Sequence, residues 1–287
     1  IMRFVGAPFV FSFQQVGTNC GLIGKNAAVE VDGSAYWMSE NGFFRYTGKL
    51  DSLACLVEDY VFDDINTVPR QHIYAGLNNL FGEVTWFYPG SGAASNNRSV
   101  TYNYMDSTPE RPVWTTSTLA RSTWADSAIF GKPHGTEYDS DATSDSTVGN
   151  TDGVTTYYEH ETGVNQIKAG SATAIAASIE SGDFDISAAQ GGADLRGDGE
   201  HIMKIRRVLP DFLQQTGDAR VTLNLKNYPT DSQASSSLGP FTTTTSTTKI
   251  DTRARARAIS LKVDNTSTKQ HWKLGTFRLD IQADGRR

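Results

Sequence analysis

Two dipeptides, Asp32-Gly33 and Asn41-Gly42, constrain the fold of this chain more than any other feature of its sequence. They separate three short runs that are rich in branched and aromatic residues, namely Ala27–Val31, Ala35–Ser39 and Phe43–Tyr46. Dipeptides of this kind favour the tight two-residue turns of β-hairpins. We therefore predict three antiparallel strands in a meander, which is the building unit of a propeller blade.

More strand-like runs follow in the first half of the sequence. They predict strands because β-branched and aromatic side chains pack well on a pleated surface. The segment Leu56–Ile65 instead has apolar residues at helical spacing and predicts one short helix. The strand-like runs are Gln71–Ala75, Glu83–Tyr88, Ser99–Tyr104, Leu119–Ala125 and Val154–Tyr158.

From Ala172 onward the predicted strands are longer and alternate apolar with polar residues. Alternation places one face of a strand against a core and the other face in water. We therefore predict an all-β protein with two domains. Residues 1–165 form propeller-like antiparallel meanders, and residues 166–287 form a β-sandwich-like domain. The longer runs are Ala174–Ser181, His201–Leu209, Arg220–Lys226, Ala258–Asp264 and Trp272–Ile281.

Residues 136–153 interrupt the strand pattern of the first domain. They combine acidic side chains with Ser, Thr and Gly and contain few apolar groups to bury, so we predict an exposed acidic loop. The spacing of the acids differs from that of the calcium loop of an EF-hand, which favours a solvated loop over a calcium site. The acids are Glu137, Asp139, Asp141, Asp145 and Asp152.

The charge of the chain is unevenly distributed. The formal net charge is -6, from 26 Lys and Arg against 32 Asp and Glu. From Lys249 to the end there are ten Lys and Arg against four Asp and Glu, a net charge of +6, so the remainder carries -12. Proteins that grip nucleic acid neutralise its phosphates with cations. Most of this chain should therefore repel DNA.

Cysteine usage and hydropathy narrow the class of protein further. Cys20 and Cys55 are too few for a disulfide framework and lack the spacing of a metal site, so we predict two ordinary core thiols. No apolar stretch approaches the roughly 20 residues that a membrane-spanning helix needs. Ile1 precedes Met2, and we expect the chain to be a piece of a longer protein that lacks an N-terminal part.

No catalytic motif for a serine hydrolase, zinc protease, nucleoside triphosphatase or dinucleotide-binding enzyme occurs in the sequence. In an extended strand, Glu159 and Glu161 share one face and His160 takes the other, which suits neither an oriented base nor a chelate. We expect no enzyme activity, no metal and no cofactor. A glycosidase with two acids far apart in sequence stays open as an alternative.

The C-terminal part contains a basic strip, Arg253-Ala254-Arg255-Ala256-Arg257. In a strand its three guanidinium groups share one face and the alanines take the other. The strip is either an exposed edge protected by charge, a seam between subunits, or a contact for DNA phosphates. A seam is electrostatically reasonable because the basic strip of one copy would meet the acidic remainder of the next copy.

Several short motifs resemble a known family. The chain resembles the tail nozzle or hub proteins of short-tailed bacteriophages, also called packaged-DNA stabilisation proteins. The resemblance covers most of the chain and is strongest at the C-terminus. The motifs are Cys20–Ile23, Ala35–Ser39, Gly42–Gly48, Glu83–Pro89, Tyr158–Gly163, Leu209–Phe212, Gly239–Phe241, Trp272–Asp280 and Asp284–Arg287.

The resemblance implies a structural protein of the virion tail. It implies a ring, of six copies, that surrounds a channel, retains the packaged double-stranded DNA and later conducts it into the host without gripping it. The portal adaptor and the tail needle or fibre proteins of the same virion would be its partners. The subunit-interface candidates are Arg253, Arg255, Arg257, Arg278, Arg286 and Arg287.

Two other functions remain possible from the sequence. One is a carbohydrate-binding or glycan-cleaving β-propeller or receptor-binding tail protein, in which exposed aromatic rings form stacking platforms. The other is a DNA-binding virion protein that uses the arginine strip. If the chain is a tail nozzle protein, the same aromatic rings are expected to belong to the core. The candidate rings are Trp37, Trp86, Tyr88 and Trp124.

Overall fold

The computed structural model describes residues 1–126, 129–139, 154–168, 170–186, 201–228 and 236–286. These residues contain 24 strands, one α-helix and one short 3-10 helix. The prediction of an all-β protein is confirmed. None of the described helices is long and apolar enough to cross a lipid bilayer.

The chain divides into two compact units, Ile1–Thr162 and Gly163–Arg287. This division lies close to residue 165, where the sequence analysis places the domain boundary. The helices of the first unit are α1 (Glu58–Asp64) and the 3-10 helix Arg70–His72. Its strands are β1 (Met2–Phe4), β2 (Phe11–Phe13), β3 (Ala28–Val31), β4 (Ser34–Ser39), β5 (Gly42–Tyr46), β6 (Leu50–Leu53), β7 (Tyr74–Asn78), β8 (Glu83–Tyr88), β9 (Arg98–Asn103), β10 (Trp114–Ser117), β11 (Thr123–Ala125), β12 (His134–Asp139) and β13 (Val154–Glu159).

Two four-stranded antiparallel sheets dominate the first unit. In each sheet every strand pairs with its neighbour in sequence, β3 to β6 in one and β7 to β10 in the other. The predicted meanders are therefore present. Their arrangement as propeller blades stays a prediction. A hairpin of β1 and β2 and a three-stranded sheet of β11, β12 and β13 complete the unit.

Of the first two turns of the meander, one lies where the sequence predicted it and the other does not. Asp32 and Gly33 both have positive φ, 48° and 78°, as a type I′ hairpin turn requires. The second turn is one residue earlier than predicted. Ser39 pairs with Gly42, so Glu40 and Asn41 form the turn and Gly42 begins β5.

The core of the first unit is built around the aromatic ring of Phe43. Its ring centroid lies 5.6 Å from that of Phe62, 4.9 Å from that of Trp86 and 4.8 Å from that of Trp114. Phe43 and Trp86 are completely buried. Rings at these separations add favourable edge and offset contacts to the hydrophobic gain of burial.

The one predicted helix is present as α1, Glu58–Asp64. Its first turn carries Glu58 and Asp59, which the positive end of the helix dipole stabilises. Val61, on the inward side of the helix, is completely buried. Asp64 lies at the unfavourable negative end, where the Nε of Arg98 at 3.1 Å offsets its charge.

Three predicted segments of the first unit need correction. The run Gln71–Ala75 is divided between the 3-10 helix and β7, and Leu119–Ala125 is extended only in β11. The predicted acidic loop begins too early, because Thr136 to Asp139 pair with β13 as part of strand β12. The rest of that segment, residues 140–153, lies outside the described residues.

The second unit contains two sheets that share one hydrophobic core. The four-stranded sheet has the order β16-β22-β19-β20 and the three-stranded sheet has the order β21-β17-β24. The strands are β14 (Asn165–Lys168), β15 (Ser171–Ala174), β16 (Ala177–Glu180), β17 (His201–Leu209), β18 (Phe212–Thr216), β19 (Ala219–Lys226), β20 (Ser236–Thr243), β21 (Ile250–Ala256), β22 (Ala258–Asn265), β23 (His271–Leu274) and β24 (Arg278–Arg286).

Strict alternation holds along the central strand of this core. In β19, buried residues alternate with partly exposed ones from Ala219 to Lys226. Its inward residues Val221 and Leu223 pack with Ile205 of β17 from the other sheet. Side chains of two sheets that meet in one core characterise a β-sandwich.

Two predicted single strands of the second unit are each divided in two. Ala174–Ser181 is interrupted at Ile175, and Trp272–Ile281 is interrupted at Gly275.

Candidate assembly surfaces

The basic strip lies on the outer face of the three-stranded sheet β21-β17-β24. Arg253 and Arg255 are exposed, and the intervening Ala254 and Ala256 are buried against the core. The predicted alternation of arginine outside and alanine inside is confirmed for these positions. The small alanines leave room for the larger core residues of the facing sheet.

The other interface candidates are placed less uniformly. Arg257 does not continue the strip, because β21 ends at Ala256 and Arg257 occupies the bend before β22, where it is half-buried. Arg278 begins β24 opposite Leu209 and is exposed. Arg287 and the side chain of Arg286 lie outside the described residues.

Strand β17 adds cations to this face that the sequence analysis missed. Lys204 pairs with Arg255 across the sheet. A register shift between Ile205 and Arg207 inserts an extra residue, so that Arg206 and Arg207 are both exposed. We call the outer side of these three strands the basic face. Its described cations are Lys204, Arg206, Arg207, Arg253, Arg255 and Arg278, and its carboxylates are Asp251, Asp280 and Asp284.

Ion pairs neutralise only part of the basic face. The Nε of Arg255 lies 2.5 Å from Asp284, and the Nε of Arg207 lies 3.1 Å from Asp251. Three further arginines of the basic face have no carboxylate oxygen of a described residue within 4.0 Å. The basic face therefore keeps a net positive charge that a partner can meet. The three arginines are Arg206, Arg253 and Arg278.

The two units carry opposite net charge. Residues 1–162 contain 9 Lys and Arg and 19 Asp and Glu, a net charge of -10. Residues 163–287 contain 17 Lys and Arg and 13 Asp and Glu, a net charge of +4. Their sum is the -6 of the whole chain. A chain with one acidic and one basic unit has complementary charge for contact between copies.

An acidic surface in the first unit is formed by helix α1. Asp59, Tyr60 and Asp63 are exposed on the side of the helix opposite the buried Val61. Among the described residues, Asp59 and Asp63 have no cation within 4.0 Å, in contrast to Asp64. We call the side formed by Asp59, Tyr60 and Asp63 the acidic helix face.

The N-terminal hairpin exposes an unusual amount of apolar surface. Every residue of β1 and β2 is exposed, and Phe4 and Phe11 contact each other edge to face at 5.9 Å between ring centroids. An isolated two-stranded hairpin is only marginally stable in water, and large exposed apolar patches mark interaction sites. The large exposed apolar residues of positions 1–16 are Ile1, Met2, Phe4, Val5, Phe9, Val10, Phe11, Phe13 and Val16.

The Glu159-His160-Glu161 cluster is divided among different partners. Strand β13 ends at Glu159, and Glu161 has a φ of 56°. Glu159 lies 3.7 Å from the Nζ of Lys132, whereas Glu161 accepts a hydrogen bond from Asn78 at 3.0 Å. His160 is directed toward Arg121. The carboxylates of Glu159 and Glu161 thus contact different partners. They do not form a pair of facing groups in which one could act as an acid and the other as a base.

The aromatic rings that sequence reasoning assigned to stacking platforms lie in packed surroundings. Trp86 and Tyr88 are completely buried. The Nε1 of Trp124 donates to the carbonyl of Leu77 at 2.7 Å, and the Nε1 of Trp37 donates to the carbonyl of Cys20 at 2.7 Å. These four rings are therefore parts of the fold.

A different aromatic group is exposed. The ring of His134 stacks on that of Tyr157 at 5.4 Å and meets Phe130 edge to face at 4.8 Å. Tyr157 and Phe130 are 64% and 57% exposed. No sequence pattern predicted this group, because it combines residues from β12, β13 and the connection before β12.

A shallow depression of about 470 Å³ lies on the first unit. Its lining contains two cations, Lys25 and Arg70, and no carboxylate.

Within the described ranges, no three His, Cys, Asp or Glu side chains are placed to share a metal ion. Cys20 and Cys55 are both free and only partly buried, so the expected core thiols lie at the margin of the core.

Comparisons with known proteins complete this description. A scan against models of protein families finds no match to the chain, and a search of curated proteins finds none either. Function is therefore inferred from the surfaces just described and from the resemblance of short sequence motifs.

Proposed function

We propose that this chain is a structural subunit of a virus particle, a tail nozzle or hub protein of a short-tailed bacteriophage. One combination of observations carries the proposal. The aromatic rings that could have bound a sugar are packed into the fold, whereas three charged or apolar surfaces are exposed and could contact other copies. Trp86 and Tyr88 are buried in the core, whereas the basic face, the acidic helix face and the N-terminal hairpin are exposed. A protein that assembles through contacts between its copies needs exposed surfaces of this kind. The resemblance of the sequence motifs to tail nozzle proteins favours the same function.

In this proposal the chain forms a ring, of six copies, around a channel for double-stranded DNA. The net charge of -6 per copy supports passage over binding, because an acidic lumen offers DNA no cations to hold its phosphates. The ring retains the packaged genome and later conducts it into the host. Its neighbours in the virion tail are the portal adaptor and the needle or fibre proteins.

The proposed role is structural and not enzymatic. The separate partners of Glu159 and Glu161 support this, as does the lack of a carboxylate in the depression at Lys25 and Arg70. A glycosidase would need two carboxyl groups that face each other across a sugar. Neither of these places supplies such a pair.

Particle imaging and native mass measurement of the purified chain test the ring. We expect a closed oligomer with a central channel at least as wide as duplex DNA, about 20 Å. We expect duplex DNA to bind the oligomer weakly at moderate salt. A protein that stays monomeric at every concentration examined would contradict the proposal.

One observation favours the alternative of carbohydrate binding. Phe130 and Tyr157 expose aromatic rings beside His134, and Lys132 and Glu159 lie nearby as hydrogen-bonding groups. Aromatic surface with a few polar groups is typical of small-ligand sites. Binding of host-surface glycans that is lost in Tyr157→Ala, with the fold intact, would favour this function over the nozzle.

A further inference from the structure

The basic face and the acidic helix face complement each other in charge and in spacing. Arg253 and Arg255 are two residues apart on one side of β21, so their positions are separated by about 7 Å. Asp59 and Asp63 are four residues apart on α1, which separates them by about 6 Å along the helix axis. Each pair is exposed. A helix laid along the strand can therefore set one carboxylate against Arg253 and the other beside Arg255, whose Nε is already paired with Asp284.

We propose that the acidic helix face of one copy binds the basic face of a second copy, head to tail. The inference rests on the proposed ring and names the residues of its seam. A head-to-tail contact uses two different surfaces of the same chain and closes into a ring when the rotation between copies allows it.

Charge complementarity selects a second copy as the partner. Asp59 and Asp63 have no cation within 4.0 Å in the described part of the chain, and Arg253 likewise has no carboxylate. The first unit carries -10 and the second +4, so contact between unlike surfaces of two copies reduces repulsion between chains of the same net charge. The phosphates of DNA could pair with the cations of the basic face but would repel the carboxylates of the acidic helix face. A second copy of the chain complements both surfaces.

Both surfaces also contain apolar groups beside their charges. Tyr60 is 57% exposed between Asp59 and Asp63, and Leu209 is 38% exposed beside Arg278 on the basic face. Aromatic and arginine side chains are enriched where interfaces bind most strongly. The contact therefore combines charge pairing with burial of Tyr60.

Charge reversal at the two surfaces tests the inference. Self-association of the full chain is measured by sedimentation velocity for Arg253→Glu with Arg255→Glu, and for Asp59→Lys with Asp63→Lys. We expect each double variant to weaken association about tenfold or more, and the chain with all four substitutions to recover most of it. Association of the unmodified chain should also weaken as salt rises.

Matched controls change the net charge by the same amount at other exposed sites. These are Lys269→Glu with Lys273→Glu, and Asp106→Lys with Glu110→Lys, four positions that are all exposed. We expect the controls to associate within about twofold of the unmodified chain, because exposed charges outside the contact contribute little. Circular dichroism confirms that each variant keeps its strands.

The outcomes separate this inference from the proposed function. If the chain forms rings that each of the two double variants leaves intact, the inference is wrong and the ring stands. If the unmodified chain never associates, both are wrong. If Arg253→Glu with Arg255→Glu abolishes binding of a DNA duplex while self-association is unchanged, the basic face serves DNA and the inference is overturned.

Discussion

The Nε of Arg121 donates a hydrogen bond to the Nε2 of His160 at 2.9 Å. Because a guanidinium can only donate, the imidazole must be neutral and must accept with this nitrogen. The same arginine lies over the ring of Tyr158 at 4.0 Å, and the Tyr158 hydroxyl donates to Glu137 at 2.7 Å. Burial, together with the nearby charges of Arg121 and His134, lowers the pKa of His160 to about 4.

This contact predicts a loss of stability in acid. The unfolded chain protonates His160 near pH 6.5, whereas the folded chain resists protonation until about pH 4. The unfolded state therefore binds more protons between these values, so stability falls as the pH is lowered. We expect the contribution of His160 to be complete above pH 6.5 and to fall by about 1–2 kcal/mol toward pH 4, measured by urea unfolding.

The variant His160→Gln isolates this effect from the titration of carboxylates. A glutamine amide oxygen can accept from Arg121 but does not titrate. We expect a flatter dependence of the unfolding free energy on pH in this variant, and an unchanged dependence in His271→Gln, which alters an exposed histidine. Equal slopes in His160→Gln and the unmodified chain would refute the role of this contact.

The close approach of Gly76 and Trp124 predicts a site where even one methyl group is harmful. A β-carbon built on Gly76 would lie 2.6 Å from the Cγ of Trp124. The indole cannot withdraw without losing its hydrogen bond to the carbonyl of Leu77. We expect Gly76→Ala to lower the free energy of unfolding by about 1–3 kcal/mol.

The control for this substitution is Gly21→Ala. A β-carbon at Gly21 would meet no atom within 4 Å. We therefore expect a change within about 0.5 kcal/mol in the same urea titration. Equal stability of the two variants would show that the sheet of β11 to β13 yields to an added methyl group.

The thiol of Cys55 is expected to react slowly in the folded chain. Burial, with a smaller contribution from the charge of Glu58, raises its pKa to about 11. Only the thiolate is alkylated, so at pH 8 we expect modification about 100-fold slower than in the urea-denatured chain. The rate is measured by mass spectrometry in Cys20→Ser, which leaves Cys55 alone. Similar rates in the two states would contradict the raised pKa.

Much of the fold is predictable from local sequence, and the exceptions have local causes. The runs Glu83–Tyr88 and His201–Leu209 match β8 and β17 residue for residue. The segments β6, β10 and β20 were missed because Ser, Thr and Asp dilute their apolar pattern. They become strands by pairing with a strongly patterned neighbour, as Leu50–Leu53 does with β5. Pairing partners lie beyond the reach of a short sequence window.

The candidate surfaces were predicted only in part. Alternation of arginine with alanine placed Arg253 and Arg255 on one exposed face because period-two patterns translate directly into strand faces. The same reasoning failed at Arg257, where the chain bends. It also missed Arg206 and Arg207, since a register shift cannot be read from composition. The exposed Asp59 and Asp63 were inside a correctly predicted helix, but their lack of a partner is a property of the folded chain.

The two hydrophobic cores predict two separable unfolding events. The cores share no residue, and Phe43 and Leu223 are each completely buried, one in each core. Phe43→Ala should cost about 3–5 kcal/mol and Leu223→Ala about 2–5 kcal/mol, because each leaves a cavity in a packed core. In calorimetry of the full chain we expect each substitution to lower a different transition, while Phe11→Ala on the exposed hairpin leaves both in place. If Phe43→Ala and Leu223→Ala lower the same single transition, the two cores unfold as one cooperative body.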